Sequence, residues 1–291
     1  MTGSPRIAFL GLGIMGSGMA HRLLSAGFAV SVFNRDAEKT RSHVAAGAKA
    51  AATPREAASG AQIVLSMVAD DVAARAVWLG PQGALGALAP GGVAIESSTI
   101  TPEWARELAA HCADAGIEFL DAPVTGSRDQ AASGELNFLV GGAASTLERV
   151  HPVLSAMSRK ITLLGPAGSG AAVKLINNFL CSTQVAALAE AVTMIERCGL
   201  DRAGALEVIT HGAAGSPLVK AIAARMTQPP AAPHFALRLM AKDLDYALRT
   251  AAAQSLELRT ARTARAIFEG ALAAGLGDRD FSAVIEPLRA R

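Results

Sequence analysis

Apolar runs of strand length alternate with longer helix-like stretches along the first half of the chain, and that alternation stops near residue 165. Residues 6–10 (RIAFL), 29–33 (AVSVF), 63–67 (IVLSM) and 92–96 (GVAIE) are short and almost wholly apolar, as strands covered on both faces must be. Helical patterns separate them, so the spacing predicts a parallel, doubly wound α/β sheet. Ligands of such sheets lie beyond the carboxyl ends of the strands. That singles out Met67, Val68 and Ala69 at the end of one run and Ser97, Ser98 and Thr99 at the end of another. The Ser/Thr cluster reads equally well as a helix cap ahead of Pro102 and Glu103.

The segment 121–142 (DAPVTGSRDQAASGELNFLVGG) carries Thr125, Gly126 and Ser127, two hydroxyls on a flexible backbone whose successive N–H groups could nest a carboxylate, with Arg128 adding charge beside them. Its structural reading is a hairpin with turns at Gly126 and Gly134. A helix over 144–158 and a strand over 160–164 follow, and Gly165-Pro166 then punctuates the chain.

From Ala171 onward the pattern is helical throughout. This shift divides the chain into a doubly wound α/β domain, 1–164, and an all-α domain, 165–291. The first helix is expected to end near Cys198 with Gly199 as its cap, about 28 residues and about 42 Å, long enough to join two domains. Its apolar residues run almost all the way round between 173 and 195, which predicts burial on every side. Lys174 and Asn178 interrupt it, one turn apart on the same face, where both can reach one small ligand. A lone lysine is usually a solvated one, but the apolar setting weighs against that here. Gly168 and Gly170 leave bare backbone where the helix begins, room for another domain or a cofactor ring. Further helices are expected from Asp201, from Ser216-Pro217, through Phe235 to Lys242, Asp243 and Leu244, over 259–274 and over 281–289.

Composition narrows the class. The chain has 291 residues, 51% apolar and 18% charged, in keeping with two globular domains. Lys and Arg number 27 against 25 Asp and Glu, so no general positive field invites nucleic acid or an anionic membrane. No secretory leader and no membrane-length apolar run are apparent, which makes the cytoplasm the expected location. Cys112, Cys181 and Cys198 show no metal-ligand spacing and are expected to be free thiols.

The run after the first strand is Gly11-Leu12-Gly13-Ile14-Met15-Gly16. A GxGxxG pattern becomes specific when a strand precedes it and a helix follows, as here. Gly11 would permit the tight turn, Gly13 would admit a pyrophosphate to the backbone, and Gly16 would let the helix pack on the strand. About 20 residues on, where the ribose-reading residue is expected, stand Asn34, Arg35 and Asp36. A neutral Asn34 and a cationic Arg35 favour the 2′-phosphate of NADP. NAD gains if Asp36 points at the ribose, and NADP stands if Asp36 only caps the helix that follows.

The order of these motifs resembles the β-hydroxyacid dehydrogenases over nearly the full length. GLGIMG, DAPVTGSRDQAASG, the GxGxxxKxxxN of 168–178 and the KDL of 242–244 carry the resemblance. It implies that Lys174 is catalytic, that Thr125, Gly126, Ser127 and Asn178 bind substrate with Asp243 as an orienting partner, and that Val68, Ala69, Thr99, Phe235 and Lys242 lie along the cofactor. In the reducing direction NADPH would deliver hydride to an aldehyde carbon while Lys174 supplies a proton and positive charge to the developing alkoxide. In the oxidising direction the lysine would take the hydroxyl proton, a role that needs its pKa lowered from about 10.4 by burial or by a neighbouring cation such as Lys242. The substrate carboxylate would sit in the turn at Thr125 to Ser127, and no metal is required. TGS in place of the commoner SGG, together with Arg35, is closer to the aldehyde-reducing branch. The implied substrates are therefore glyoxylate, succinic semialdehyde, 3-hydroxyisobutyrate or tartronate semialdehyde in type. Asn177 stands where 6-phosphogluconate dehydrogenase has a His, which argues against a hexose phosphate. Imine reduction on the same scaffold and a non-catalytic dinucleotide-binding role are the alternatives, and the presence of Lys174 weighs against both. The expected partner beyond a small carboxylate substrate is a second copy of the chain, as a homodimer or homotetramer.

Overall fold

A computed structural model of the chain describes residues 4–290 and separates into two compact units, Met1–Lys174 and Leu175–Arg291. The first unit is built on nine strands: β1 (Arg6–Leu10), β2 (Ala29–Phe33), β3 (Lys49–Ala50), β4 (Ile63–Ser66), β5 (Val93–Glu96), β6 (Glu118–Asp121), β7 (Val124–Thr125), β8 (Leu136–Gly142) and β9 (Ser158–Gly165). Between them lie α1 (Ile14–Ser25), α2 (Arg41–Ala45), α3 (Pro54–Ala58), α4 (Asp71–Leu79), α5 (Pro102–Asp114), α6 (Arg128–Ser133) and α7 (Ala144–Ser155).

The sheet runs β3-β2-β1-β4-β5-β6-β8-β7, with β9 beside β8, and is parallel through β6. Strand order reverses at β1, which pairs with β2 on one side and β4 on the other, and this is the switch point where such sheets bind ligands. Successive residues of the strands face opposite sides. Phe9, Leu65, Ile95 and Phe138 meet α1 and α7 in one core, while Leu10, Val64, Ala94 and Phe119 meet Trp78 and Trp104 in the other. Each such large side chain, fully buried, contributes about 1.5–3 kcal/mol. Cys112 lies in the second core, and burial pushes its thiol up to about 12.

Two expectations change beyond β6. The tail of the sheet is mixed, since β8 runs antiparallel to both β6 and β7 and parallel to β9. The connection from β7 to β8 is shorter than the dozen or more residues that a parallel crossover needs. The expected hairpin does pair, Val124 with Phe138 and Thr125 with Asn137. Its connection is the helix α6 rather than two turns, and Gly134 at φ 77° closes that helix as a left-handed cap.

The second unit is helical: the greater part of α8 (Ser169–Arg197), then α9 (Arg202–His211), α10 (Pro217–Thr227), α11 (Leu237–Ala253), α12 (Arg259–Ala273) and α13 (Glu286–Arg289), the last preceded by a 3-10 turn, Phe281–Ile285. Leu237, Met240, Ala241, Leu244 and Ala247 recur at helical spacing along α11; the first four are buried with Leu188, Val192, Ile222 and Phe268 in one core, and Ala247 packs with Tyr246 in a smaller cluster. The helix α8 ends where expected, with Gly199 at φ 66° just beyond it. It is not buried on every side, however: Ile176, Leu180 and Met194 are 57%, 53% and 68% exposed. By length and a mean hydropathy of 1.2 it matches a membrane span, although half of that window is buried within the chain.

Candidate active site

The switch point is lined by loops that leave the carboxyl ends of β1, β2, β4 and β5. Gly11 stands at φ 100°, and a Cβ there would lie 2.3 Å from the carbonyl oxygen of Met67. A Cβ on Gly16 would lie 2.0 Å from the carbonyl oxygen of Gly11, so the start of α1 rests directly on the turn before it. Gly13 differs from both, for nothing lies within 4 Å of the place its Cβ would take. It is the N-cap of α1, no side chain caps it, and the first turn holds no acidic residue. The amide groups of Ile14 and Met15 therefore meet no internal anion at the positive end of the helix, which is the setting that receives a phosphate.

Asn34 braces this loop from β2. Its Oδ1 accepts from the N–H of Leu12 at 2.9 Å and its Nδ2 donates to the carbonyl of Asp36 at 2.8 Å, so the side chain is engaged with the protein's own backbone. Asp36 accepts from the N–H of Glu38 at 3.1 Å and caps the turn 37–40, the condition under which the sequence favours NADP. Arg35 is exposed beside it.

A buried network, only part of which the sequence pointed to, ties the loops after β4 and β5 together. Glu96 is fully buried and accepts from Trp78 Nε1 at 2.8 Å and from the N–H of Ser98 at 2.8 Å. The Ser98 hydroxyl in turn accepts from the N–H of Val68 at 2.7 Å. Burial pushes the Glu96 carboxyl above its usual range against these bonds. Met67, Val68 and Thr99 are half-buried along this rim, with Ala69 exposed.

The turn after β7 is more committed than its sequence indicates. Both the N–H of Ser127, at 2.9 Å, and its hydroxyl donate to Gln130 Oε1, a capping box that starts α6. Thr125 Oγ1 accepts from Asn137 Nδ2 at 3.4 Å, and Arg128 pairs with Asp129 at 3.2 Å. The expected nest of successive free N–H groups is thus interrupted, since the Ser127 N–H is taken by Gln130 and Thr125 pairs with Asn137 in the sheet; Gly126 between them stands at φ 130°. The motif S-x-x-Q at 127–130 was the available signal for this cap.

Lys174 is half-buried in the second turn of α8. The bare backbone before it is not open to a ligand. A Cβ on Gly170 would lie 2.2 Å from the carbonyl oxygen of Leu139 and 2.9 Å from a carboxylate oxygen of Asp121, so the close neighbour is the sheet of the same unit.

In the second unit, Asn178 is buried one turn further along α8 and donates through Nδ2 to Asp243 Oδ2 at 2.6 Å. Lys242 Nζ lies 2.9 Å from Asp243 Oδ1 and 4.6 Å from the centre of the Tyr246 ring. Asn177 donates to Asn178 Oδ1 at 3.0 Å. Phe235 precedes α11 instead of lying within it, and its ring packs edge-on against Phe281 at 5.8 Å.

Residues 6–165 match the family described as the NAD binding domain of 6-phosphogluconate dehydrogenase, and residues 168–288 match the NAD-binding region of NADP-dependent 3-hydroxyisobutyrate dehydrogenase. The chain is 35% identical over 288 residues to glyoxylate/succinic semialdehyde reductase 2 of Arabidopsis thaliana, covering 99% of this chain and 80% of that one. It is 36% identical over 286 residues to the NAD-dependent L-serine dehydrogenase of Pseudomonas aeruginosa, covering 96% of each. The crystal structure of a 3-hydroxyisobutyrate dehydrogenase from Salmonella typhimurium superposes with a TM-score of 0.89 at 31% identity, over 97% of this chain and 99% of that one.

Proposed function

Since the chain belongs to the β-hydroxyacid dehydrogenase family and is an NAD(P)-dependent oxidoreductase of small hydroxyacids, we propose that it works with NADP(H), that its substrate is a semialdehyde or 3-hydroxyacid of the glyoxylate, succinic semialdehyde, 3-hydroxyisobutyrate or tartronate semialdehyde type, and that Lys174 moves the proton. The observation that carries this reading is the uncapped N-terminus of α1 at the switch point, with open space at Gly13.

The residues fit a dinucleotide. The amides at Gly13, Ile14 and Met15 would hold the pyrophosphate, and Met67, Val68, Ala69 and Thr99 would line its course. Arg35 would pair with a 2′-phosphate that Asp36, engaged with Glu38, does not oppose. The nicotinamide, when bound, supplies or accepts the hydride. Lys174 then donates a proton to the developing alkoxide oxygen in reduction and takes the hydroxyl proton in oxidation. Thr125 and Gly126 would hold the substrate carboxylate and so orient the reacting carbon. Asn178, on the same face of α8 as Lys174, is assigned to orientation through its bond to Asp243.

Initial rates on glyoxylate, succinic semialdehyde, methylmalonate semialdehyde and tartronate semialdehyde, each with NADPH and with NADH, test the reading. Turnover of at least one, faster with NADPH, is expected. Failure on all four together with activity on a cyclic imine would reassign the chemistry.

A further inference from the structure

Asp121 closes β6 and is fully buried. A buried carboxylate is tolerated only when its oxygens are satisfied. Here the donors are backbone amides at the start of α8: the N–H of Gly168 to Oδ1 at 2.7 Å and the N–H of Ala171 to Oδ2 at 2.8 Å. The helix has no acidic residue of its own in its first turn, and the residues before it, Pro166, Ala167 and Gly168, offer no capping side chain. Asp121 therefore caps α8 from another strand, 47 residues back along the chain.

Two glycines clear the space for this contact, and a third turns the backbone into it. Gly141 is the register partner of Asp121 in β8, and a Cβ there would lie 2.4 Å from Oδ1. A Cβ on Gly170 would lie 2.9 Å from Oδ2. Gly168 holds φ 93°, a conformation that side-chain-bearing residues rarely adopt. Lys174 follows Ala171 by three residues, a rise of about 4.5 Å. Thr125 follows Asp121 by four, so the turn that carries Thr125 and Gly126 and the helix that carries Lys174 are anchored at one residue.

We propose that Asp121 is a positioning residue of the active site: by bridging the amides of Gly168 and Ala171 it sets where α8 begins, and thereby where Lys174 stands relative to Thr125 and Gly126. The inference rests on the reading of Lys174 given above. Asp121→Asn and Asp121→Ser each leave one acceptor for two N–H groups, one isosteric and one smaller, so the contact is weakened by two independent routes. In both, kcat per NADPH-binding site is expected to fall about 10- to 100-fold, as for a displacement of about 1 Å in a proton-transfer group. The Kd for NADPH, read by fluorescence titration, is expected to stay within about twofold, because the phosphate-binding start of α1 is untouched. Counting sites by that titration restricts the comparison to folded protein. A lower Tm with kcat per site unchanged would make Asp121 a purely structural residue and overturn the proposal, as would equal losses in kcat and in NADPH affinity. Lys174→Ala, run alongside, separates the two claims. Wild-type kcat in that variant sinks the reading of Lys174 itself, whereas a dead Lys174→Ala beside fully active Asp121 variants sinks only the positioning role.

Discussion

Two helices of this chain begin in the same local sequence, Gly-x-Gly, and have opposite termini. Before α1, Gly11-Leu12-Gly13 leaves the first amides without an internal acceptor, and open space stands at Gly13. At the start of α8, Gly168-Ser169-Gly170 admits the carboxylate of Asp121, which takes up the amides of Gly168 and Ala171. In the first case the positive end of the helix is available for a ligand's charge; in the second the protein has neutralised it with its own. The difference teaches that glycines at a helix start mark a close approach without saying what approaches. A ligand-facing helix leaves its terminus empty, and a helix that must aim a side chain has its terminus fixed.

The contrast can be broken most severely by giving α1 the plug that α8 has. Gly13 sits at φ −75° and ψ −163°, an extended backbone open to any residue, so Gly13→Asp should fold normally and cap the helix. NADPH affinity is then expected to fall at least about 100-fold, or about 2.7 kcal/mol, because the new carboxylate occupies and repels the phosphate position. An unchanged Kd would remove the α1 terminus from the cofactor site. A smaller effect is expected at the rim of the same site. Arg35→Ala should weaken NADPH about 10-fold, near 1.4 kcal/mol, while leaving NADH almost unchanged. Equal losses for both would end the 2′-phosphate role.

The smallest expected effect lies on the sheet side. Glu96 and Asp121 are register partners at the ends of β5 and β6, and burial raises both carboxyls above their usual range. Glu96, however, bonds to Trp78 and to the loop amide of Ser98 rather than to a helix start. A raised folded pKa stabilises the native state below the ordinary glutamate range, and that contribution is lost as pH rises through the folded value. Glu96→Gln stays neutral throughout, so its Tm should gain on the native chain as pH rises above the ordinary glutamate range, by about 2–4 °C per kcal/mol. A difference that stays constant with pH would show that Glu96 does not titrate in this way.

What could be seen in the sequence was local. The strand runs, the GxGxxG turn and the end of α8 at Gly199 depend on neighbours within a few residues, and all three stand in the fold. The tether from Asp121 to α8 joins residues 47 apart, and no periodicity within either segment announces it. The same holds for Asn34, whose side chain braces the glycine turn 22 residues away, and for the exposure of Ile176 and Leu180, which a helix apolar on all sides does not reveal. Ser127 is a different case. Its capping partner Gln130 was three residues away and legible, but the S-x-x-Q pattern competed with a reading of the same serine as a ligand group.

The proposed chemistry rests on proton transfer by Lys174, half-buried one turn beyond the amide that Asp121 holds. Measured with NADPH and the fastest aldehyde of the four, kcat of Lys174→Ala should fall by about 10²- to 10⁴-fold, the range of a lost general acid, with the Kd for NADPH unchanged. Turnover at the native rate in that variant would contradict the mechanism.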